Sequence, residues 1–198
     1  MRSALVSIMR ICSFSIFSLL VSCVTTQQQA NMQAEAQQQN QQVVNLDDQR
    51  FGADYSKRIP SHLDTHGKKM VLVDPNVHTW GAYGADGNLI RAGIATAGGH
   101  MCPPDADEAD CRTSRGTYHI TSLGTEDCAS KIYPRPDGGG LMPYCMFFNN
   151  GQALHGSPDN IVIEDNVSHG CVRMRIPDAE WMRNNFAQVG TKVVVMPY

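Results

Sequence analysis

Leu154-His155-Gly156-Ser157 and, after a polar spacer, Ser168-His169-Gly170-Cys171-Val172-Arg173 form the stretch on which the reading of the whole chain turns. A cysteine attacks carbonyl carbon as a thiolate, so a nucleophilic Cys171 needs a neighbouring base or cation that brings its pKa down from about 8.5. His155 and His169 are both candidates. Gly170 allows a tight turn and the close approach of a substrate, and backbone N–H groups around such a turn suit a developing oxyanion. Three blander readings compete. A closed zinc site would need a fourth ligand, and none is spaced to match. A papain-like arrangement would place the cysteine before the histidine. An inert core thiol would be flanked by an apolar run rather than by His169, Gly170 and Arg173.

Working outward, the sequence predicts a mainly β domain. Met70-Val71-Leu72-Val73 is a short apolar run bounded by Lys69 and Asp74-Pro75. His78 to Tyr83 leads through the turn residues Asp86-Gly87 into Leu89 to Thr96, which predicts a hairpin. Thr117 to Thr121, Met146 to Phe148, Ala153 to His155 and Lys192 to Met196 read as further strands. The clear helix runs from Pro177 to about Ala187, with proline in the first turn, Asp178 and Glu180 behind it, and Trp181 and Phe186 offered to a core.

The N-terminal part reads as export and tether. Arg2 and Arg10 precede an uncharged apolar stretch from Ile11 to Ser22 that is short for a membrane span. Leu20-Val21-Ser22-Cys23 resembles a lipobox, which implies a signal peptide over 1–22 and a mature chain anchored through a lipidated Cys23. Val24 follows, with no aspartate to suggest inner-membrane retention, so the expected location is the periplasm at the outer membrane. From Thr25 to about Gln42 the composition collapses to Gln, Asn and Ala, and the stretch over 23–66 is expected to be a coiled tether with a reach of roughly 35 Å.

Of the seven cysteines, Cys12 leaves with the signal and Cys23 takes the lipid. Five remain in an oxidising space, which predicts two bridges and one free thiol. Sequence leaves the connectivity open. Local pairs, Cys102 with Cys111 and Cys128 with Cys145, close loops rich in Pro, Asp and Gly, each bridge contributing about 3 kcal/mol, and leave Cys171 unpaired. The net charge of −3, with no basic cluster among aromatics, argues against a nucleic-acid groove.

The two motifs together resemble the signature of L,D-transpeptidases of the YkuD type. Met142-Pro143-Tyr144 with Met146-Phe147-Phe148 resembles the strand ahead of the first histidine, and the Pro177 helix followed by Gly190-Thr191-Lys192-Val193 resembles the family's close, so the catalytic domain is expected over 67–198. The resemblance implies a β-sandwich of mixed sheets with one or two helices. It implies Cys171 as nucleophile, His155 as general base oriented by the Gly156 carbonyl, His169 shaping the thiolate pocket and the acceptor side with Gly170 at the turn, Ser168, Tyr144 and Met142 on the substrate, and Arg173 holding either the turn or a substrate carboxylate. It implies a monomer with no metal and no cofactor, acting on peptidoglycan stem peptides. The diaminopimelate acyl group of a tetrapeptide would pass through a thioester to an amine, or to water in a carboxypeptidase or murein hydrolase of the same fold; a silent wall-binding lipoprotein would lack the Cys171 and His155 pair. Two departures stand out: Thr113-Ser114-Arg115 where many relatives carry Thr-Pro, and the elaborations Pro103 to Asp110 and Gly138-Gly139-Gly140.

Overall fold

The computed structural model describes residues 28–35, 53–106 and 109–198; the expected signal peptide, Cys23 and most of the tether lie outside them. Residues 28–35 form a short helix, α1, exposed at every position. Where the composition suggested coil, the good helix propensity of Gln and Ala prevails locally.

Among the described residues, nine strands build a two-layer sandwich: β1 (Met70–Asp74), β2 (Thr79–Tyr83), β3 (Leu89–Ile94), β4 (Gly116–His119), β5 (Ser122–Leu123), β6 (Met146–Asn149), β7 (Gln152–Ser157), β8 (Val172–Arg175) and β9 (Lys192–Val195). One sheet has the order β3-β2-β1-β9-β4 and the other β5-β6-β7-β8. Both are mixed, because β1 runs parallel to β9 and β7 parallel to β8 while the remaining pairs are antiparallel.

The continuous apolar run of β1 is explained by burial on both faces, since side chains alternate along a strand. Val71 and Val73 point between the sheets with Trp80, Leu154, Val172, Met174 and Val193. Met70 and Leu72 point the other way, into a second core with Tyr55, Ile59, Tyr83, Ala92, Ile94 and Val162. Covering that outer face is the task of residues 53–66. The tether expected over 23–66 therefore ends earlier than read: a 3-10 turn at Tyr55–Lys57 carries Tyr55 inward, and Tyr55 and Ile59 are buried. The Tyr55 hydroxyl donates to Glu164 at 2.9 Å, and Arg58 pairs with the same carboxylate at 2.8 Å.

The helix expected over 177–187 is present in two parts. Helix α2 (Ile176–Trp181) carries Pro177 in its first turn, and a π turn at Met182–Phe186 follows, closed by the Ala187 N–H on the Met182 carbonyl at 2.7 Å. Widening the last turn brings both Met182 and Phe186 into the inter-sheet core. Asp178 does more than complement the helix end. It is 1% exposed and accepts from Arg91 at 2.8 Å and Arg175 at 3.1 Å, tying α2 to β3 and β8.

The second core supplies a test. Ile59→Ala removes buried methyl groups from a packed site and is expected to destabilise the domain by about 2–4 kcal/mol in urea melts; an unchanged midpoint would show that residues 53–66 do not belong to the folded unit.

Candidate active site

The site is created by the parallel pairing of β7 and β8, with Leu154 opposite Val172 and His155 opposite Arg173. Leu154, Val172 and Met174 face the inter-sheet core, so His155, Arg173 and the residue just ahead of the strand, Cys171, face the opposite side. The thiol and the imidazole are thus diagonal neighbours on one face. Ala153, Met142, Cys145 and Phe147 pack around Cys171 there. Parallel strands need a long crossover, and residues 158–171 provide it. The spacer between the two motifs is that crossover, with a 3-10 turn at Asp159–Ile161 and the Thr96 hydroxyl bonded to both the N–H and the carbonyl of Ile163.

His155 is buried, and its Nδ1 lies 2.8 Å from the Gly156 carbonyl. A carbonyl only accepts, so Nδ1 carries the proton and Nε2 keeps its lone pair. A Cβ at Gly156 would crowd its surroundings, lying 3.1 Å from the Ile176 backbone and 3.2 Å from the Pro143 carbonyl. Burial pushes the imidazole pKa down to about 4; the Gly156 hydrogen bond opposes this and the Arg173 charge adds to it.

Among the described residues Cys171 is the free cysteine, and Cys102–Cys111 and Cys128–Cys145 are bridged as the local pairing predicted. Burial raises the thiol pKa, offset in part by the Ala153 N–H and the Arg173 cation. The sulfur's hydrogen-bond contact is the Gly151 carbonyl at 3.8 Å. Burial thus acts in the same sense on both groups, favouring the uncharged thiol and the uncharged imidazole.

The turn that presents Cys171 is held from within. Gly170 has φ +114°, outside the range of L side chains without strain. Ser168, expected on the substrate, is 1% exposed: its hydroxyl donates to the Cys171 carbonyl and accepts from the Gly170 N–H at 3.1 Å. Its capacity is spent on the turn, which corrects the expectation. Tyr144 also departs from it. Its ring packs toward the inter-sheet core and its hydroxyl lies 3.5 Å from Glu126, on a separate cavity of about 330 Å³ with Thr125 and Arg183. Met142 does join the cysteine's surroundings.

Several contributors were not legible in the sequence. Thr113, seen there only as a departure at the groove lip, is buried; its hydroxyl donates to the Gly170 carbonyl at 2.9 Å and accepts from the Gly98 N–H at 2.9 Å. Tyr198 donates to the Gly98 carbonyl at 2.6 Å. Ser114 and Arg115 line a cavity of about 490 Å³ with Asp110, Arg112, Thr113 and Tyr198, beyond Thr113 from the cysteine turn. His169 lies 2.6 Å from Asp105 and stacks on Tyr133 with ring centroids 4.0 Å apart; nothing in the acidic stretch singled out Asp105.

Two outcomes test this geometry. The unfolded chain takes up a proton on His155 near pH 6.5, whereas the folded one does so only near pH 4. Stability is thus complete above pH 6.5 and falls as pH drops through that window, by about 3 kcal/mol from this group. Urea melts between pH 7 and 4 should lose that component in His155→Gln, and an identical slope would contradict the buried neutral imidazole. Alkylation of the unreduced protein should label Cys171 alone in the folded domain, which peptide mass spectrometry reads directly.

The sequence profile of the L,D-transpeptidase catalytic domain, YkuD, matches residues 68–195. YciB of Bacillus subtilis strain 168, which carries an L,D-transpeptidase designation, is 30% identical over 169 residues, 77% of this chain and 81% of its own length. Among solved structures, the L,D-transpeptidase (residues 123–326) from Xylanimonas cellulosilytica DSM 15894 aligns with a TM-score of 0.60 at 22% identity, over 71% of this chain and 66% of that one. An L,D-transpeptidase from Stackebrandtia nassauensis aligns with a TM-score of 0.55 at 24% identity, over 69% and 58%. The chain therefore spans less than two thirds of these solved chains' lengths, 66% of the first and 58% of the second, and the likeness to them is one of fold.

Proposed function

Since this chain belongs to the L,D-transpeptidase catalytic domain family, we propose that it is a cysteine acyltransferase acting on peptidoglycan stem peptides, with Cys171 as nucleophile and His155 as base. The observation that carries this reading is the common face of β7 and β8, where an unbridged cysteine, an imidazole with its Nε2 lone pair free, and the Arg173 cation stand together.

In the first half-reaction the Cys171 proton passes to His155 Nε2 as sulfur attacks the amide carbonyl between diaminopimelate and the terminal D-Ala. Both groups rest neutral, so the proton moves as the substrate arrives and a buried ion pair need not be maintained beforehand. The Ala153 N–H and Arg173 favour the sulfur's negative charge, and Arg173 discourages charge on His155. The tetrahedral intermediate collapses, the C–N bond breaks, and His155 returns the proton to the departing D-Ala amine. An acceptor amine then gives its proton to His155 while attacking the thioester, and sulfur leaves with that proton.

The surroundings of this reaction are part of the same proposal. Residues 1–22 act as a lipoprotein signal, Cys23 carries the lipid, and the Gln/Asn-rich stretch up to about residue 52 tethers a monomeric domain in the periplasm at the outer membrane. Export agrees with the two bridges, which an oxidising space allows.

Given tetrapeptide muropeptides, the mature protein should release D-Ala and yield dimers, read by mass spectrometry, with a thioester mass on Cys171. Cys171→Ala should do neither, and His155→Gln should lose about a hundredfold or more in rate. Tripeptide monomer as the sole product would make the protein a carboxypeptidase, and turnover by Cys171→Ala would end the cysteine mechanism.

A further inference from the structure

Two loops absent from the plan of the bare sandwich meet on a single side chain. The first is closed by Cys102–Cys111 and carries Asp105; the second is closed by Cys128–Cys145 and carries Tyr133 and Arg135. The second loop is braced internally, with Ser130 N–H on the Gly140 carbonyl, Gly140 N–H on Tyr133 and Met142 N–H on Cys128. Asp105 Oδ1 lies 2.6 Å from His169 Nε2, and its Oδ2 accepts from the Arg135 N–H at 3.4 Å. On the other side the His169 ring stacks against Tyr133, over which the Arg135 guanidinium lies at 5.5 Å. His169 is therefore gripped from two separately stapled loops, two residues ahead of the nucleophile.

The chemistry says which half of the substrate this grip concerns. The departing D-Ala amine and the incoming amine both exchange their proton with His155, so both occupy the side of the sulfur where His155 stands, opposite Arg173. The acyl part that stays on sulfur through both half-reactions extends the other way, toward the turn that carries His169. A carboxylate only accepts, so with Asp105 on Nε2 that nitrogen carries a proton, and Nδ1 is the ring nitrogen left for the stem. Accepting from an imidazole N–H also accounts for the Asp105 carboxyl being held below its ordinary range. A ring nitrogen held in a fixed plane suits a polar group of the stem.

We propose that Asp105 is a positioning residue that, with Tyr133, fixes the plane and tautomer of His169 so that the imidazole forms the wall against which the donor stem is held. This rests on Cys171 and His155 acting as described above. The disulfides then serve recognition as well as stability, since each holds one jaw of the grip.

The test uses the mature protein with both bridges intact and three rates: acylation of Cys171 by a tetrapeptide muropeptide, alkylation of Cys171 by iodoacetamide, and the division of acyl-enzyme between amine and water. Asp105→Asn and Asp105→Ala should slow acylation about tenfold while alkylation changes less than about twofold and the amine-to-water division stays put. Asp105→Glu should recover part of the loss, because it restores the acceptor. Tyr133→Leu, which spares the carboxylate, should follow the same pattern and serves if the Asp105 variants melt early. Wild-type acylation in Asp105→Asn overturns the proposal. So does an equal fall in alkylation and acylation, which marks plain structural support, and so does a shift toward water, which puts His169 on the acceptor side. D-Ala release surviving in Cys171→Ala would instead remove the underlying reading, and that control is scored separately.

Discussion

The parallel pairing of β7 with β8 is the constraint from which the rest of the domain follows. It places His155 and Arg173 side by side with Cys171 just ahead, and by the alternation of side chains it sends Leu154, Val172 and Met174 into the core. A slip of one residue would exchange the two faces, burying the histidine between the sheets and exposing the core residues. The face that carries Cys171 and His155 is therefore held in register by hydrophobic burial on the far side of the same strands. Parallel strands also force a crossover, and the chain uses it to deliver Cys171 on a glycine turn whose hydrogen bonds close on themselves through Ser168 and Thr113.

Electrostatics at this face is a contest between burial and one cation. Burial neutralises both Cys171 and His155, while Arg173, itself partly buried, favours the thiolate and disfavours the imidazolium. A buried charge without a partner is costly, and the site avoids that cost at rest by leaving the proton on sulfur. Elsewhere the domain accepts buried charge only with partners in place, as where Asp178 meets Arg91 and Arg175 beneath α2.

The stapled loops show a different economy. Segments 102–111 and 128–145 contribute few residues to either large core, and loops of that kind lose much entropy on ordering. Covalent closure shrinks the set of open conformations, which lets polar loops hold Asp105 and Tyr133 against His169 without a core of their own. Residues 53–66 solve the opposite problem. They carry enough apolar surface in Tyr55 and Ile59 to be held by burial alone.

By itself the sequence singled out Cys171 and His155 as the candidate pair and determined the β-rich class, most strands and the family, because each rests on local chemistry: a Ser-His-Gly-Cys turn, period-two apolar runs, a proline-started helix. The free cysteine was also legible, since five cysteines over 102–171 can form at most two bridges and leave one over. Tertiary structure alone decided where residues 53–66 belong, for only the outer face of β1 shows what Tyr55 and Ile59 must cover. It decided that Ser168 serves the turn and that Tyr144 faces another cavity, because a hydroxyl's partner depends on what the fold brings near it. It also decided that Asp105 meets His169: their contact joins segments distant in the chain, and no local pattern records which of several acidic residues in one loop will arrive.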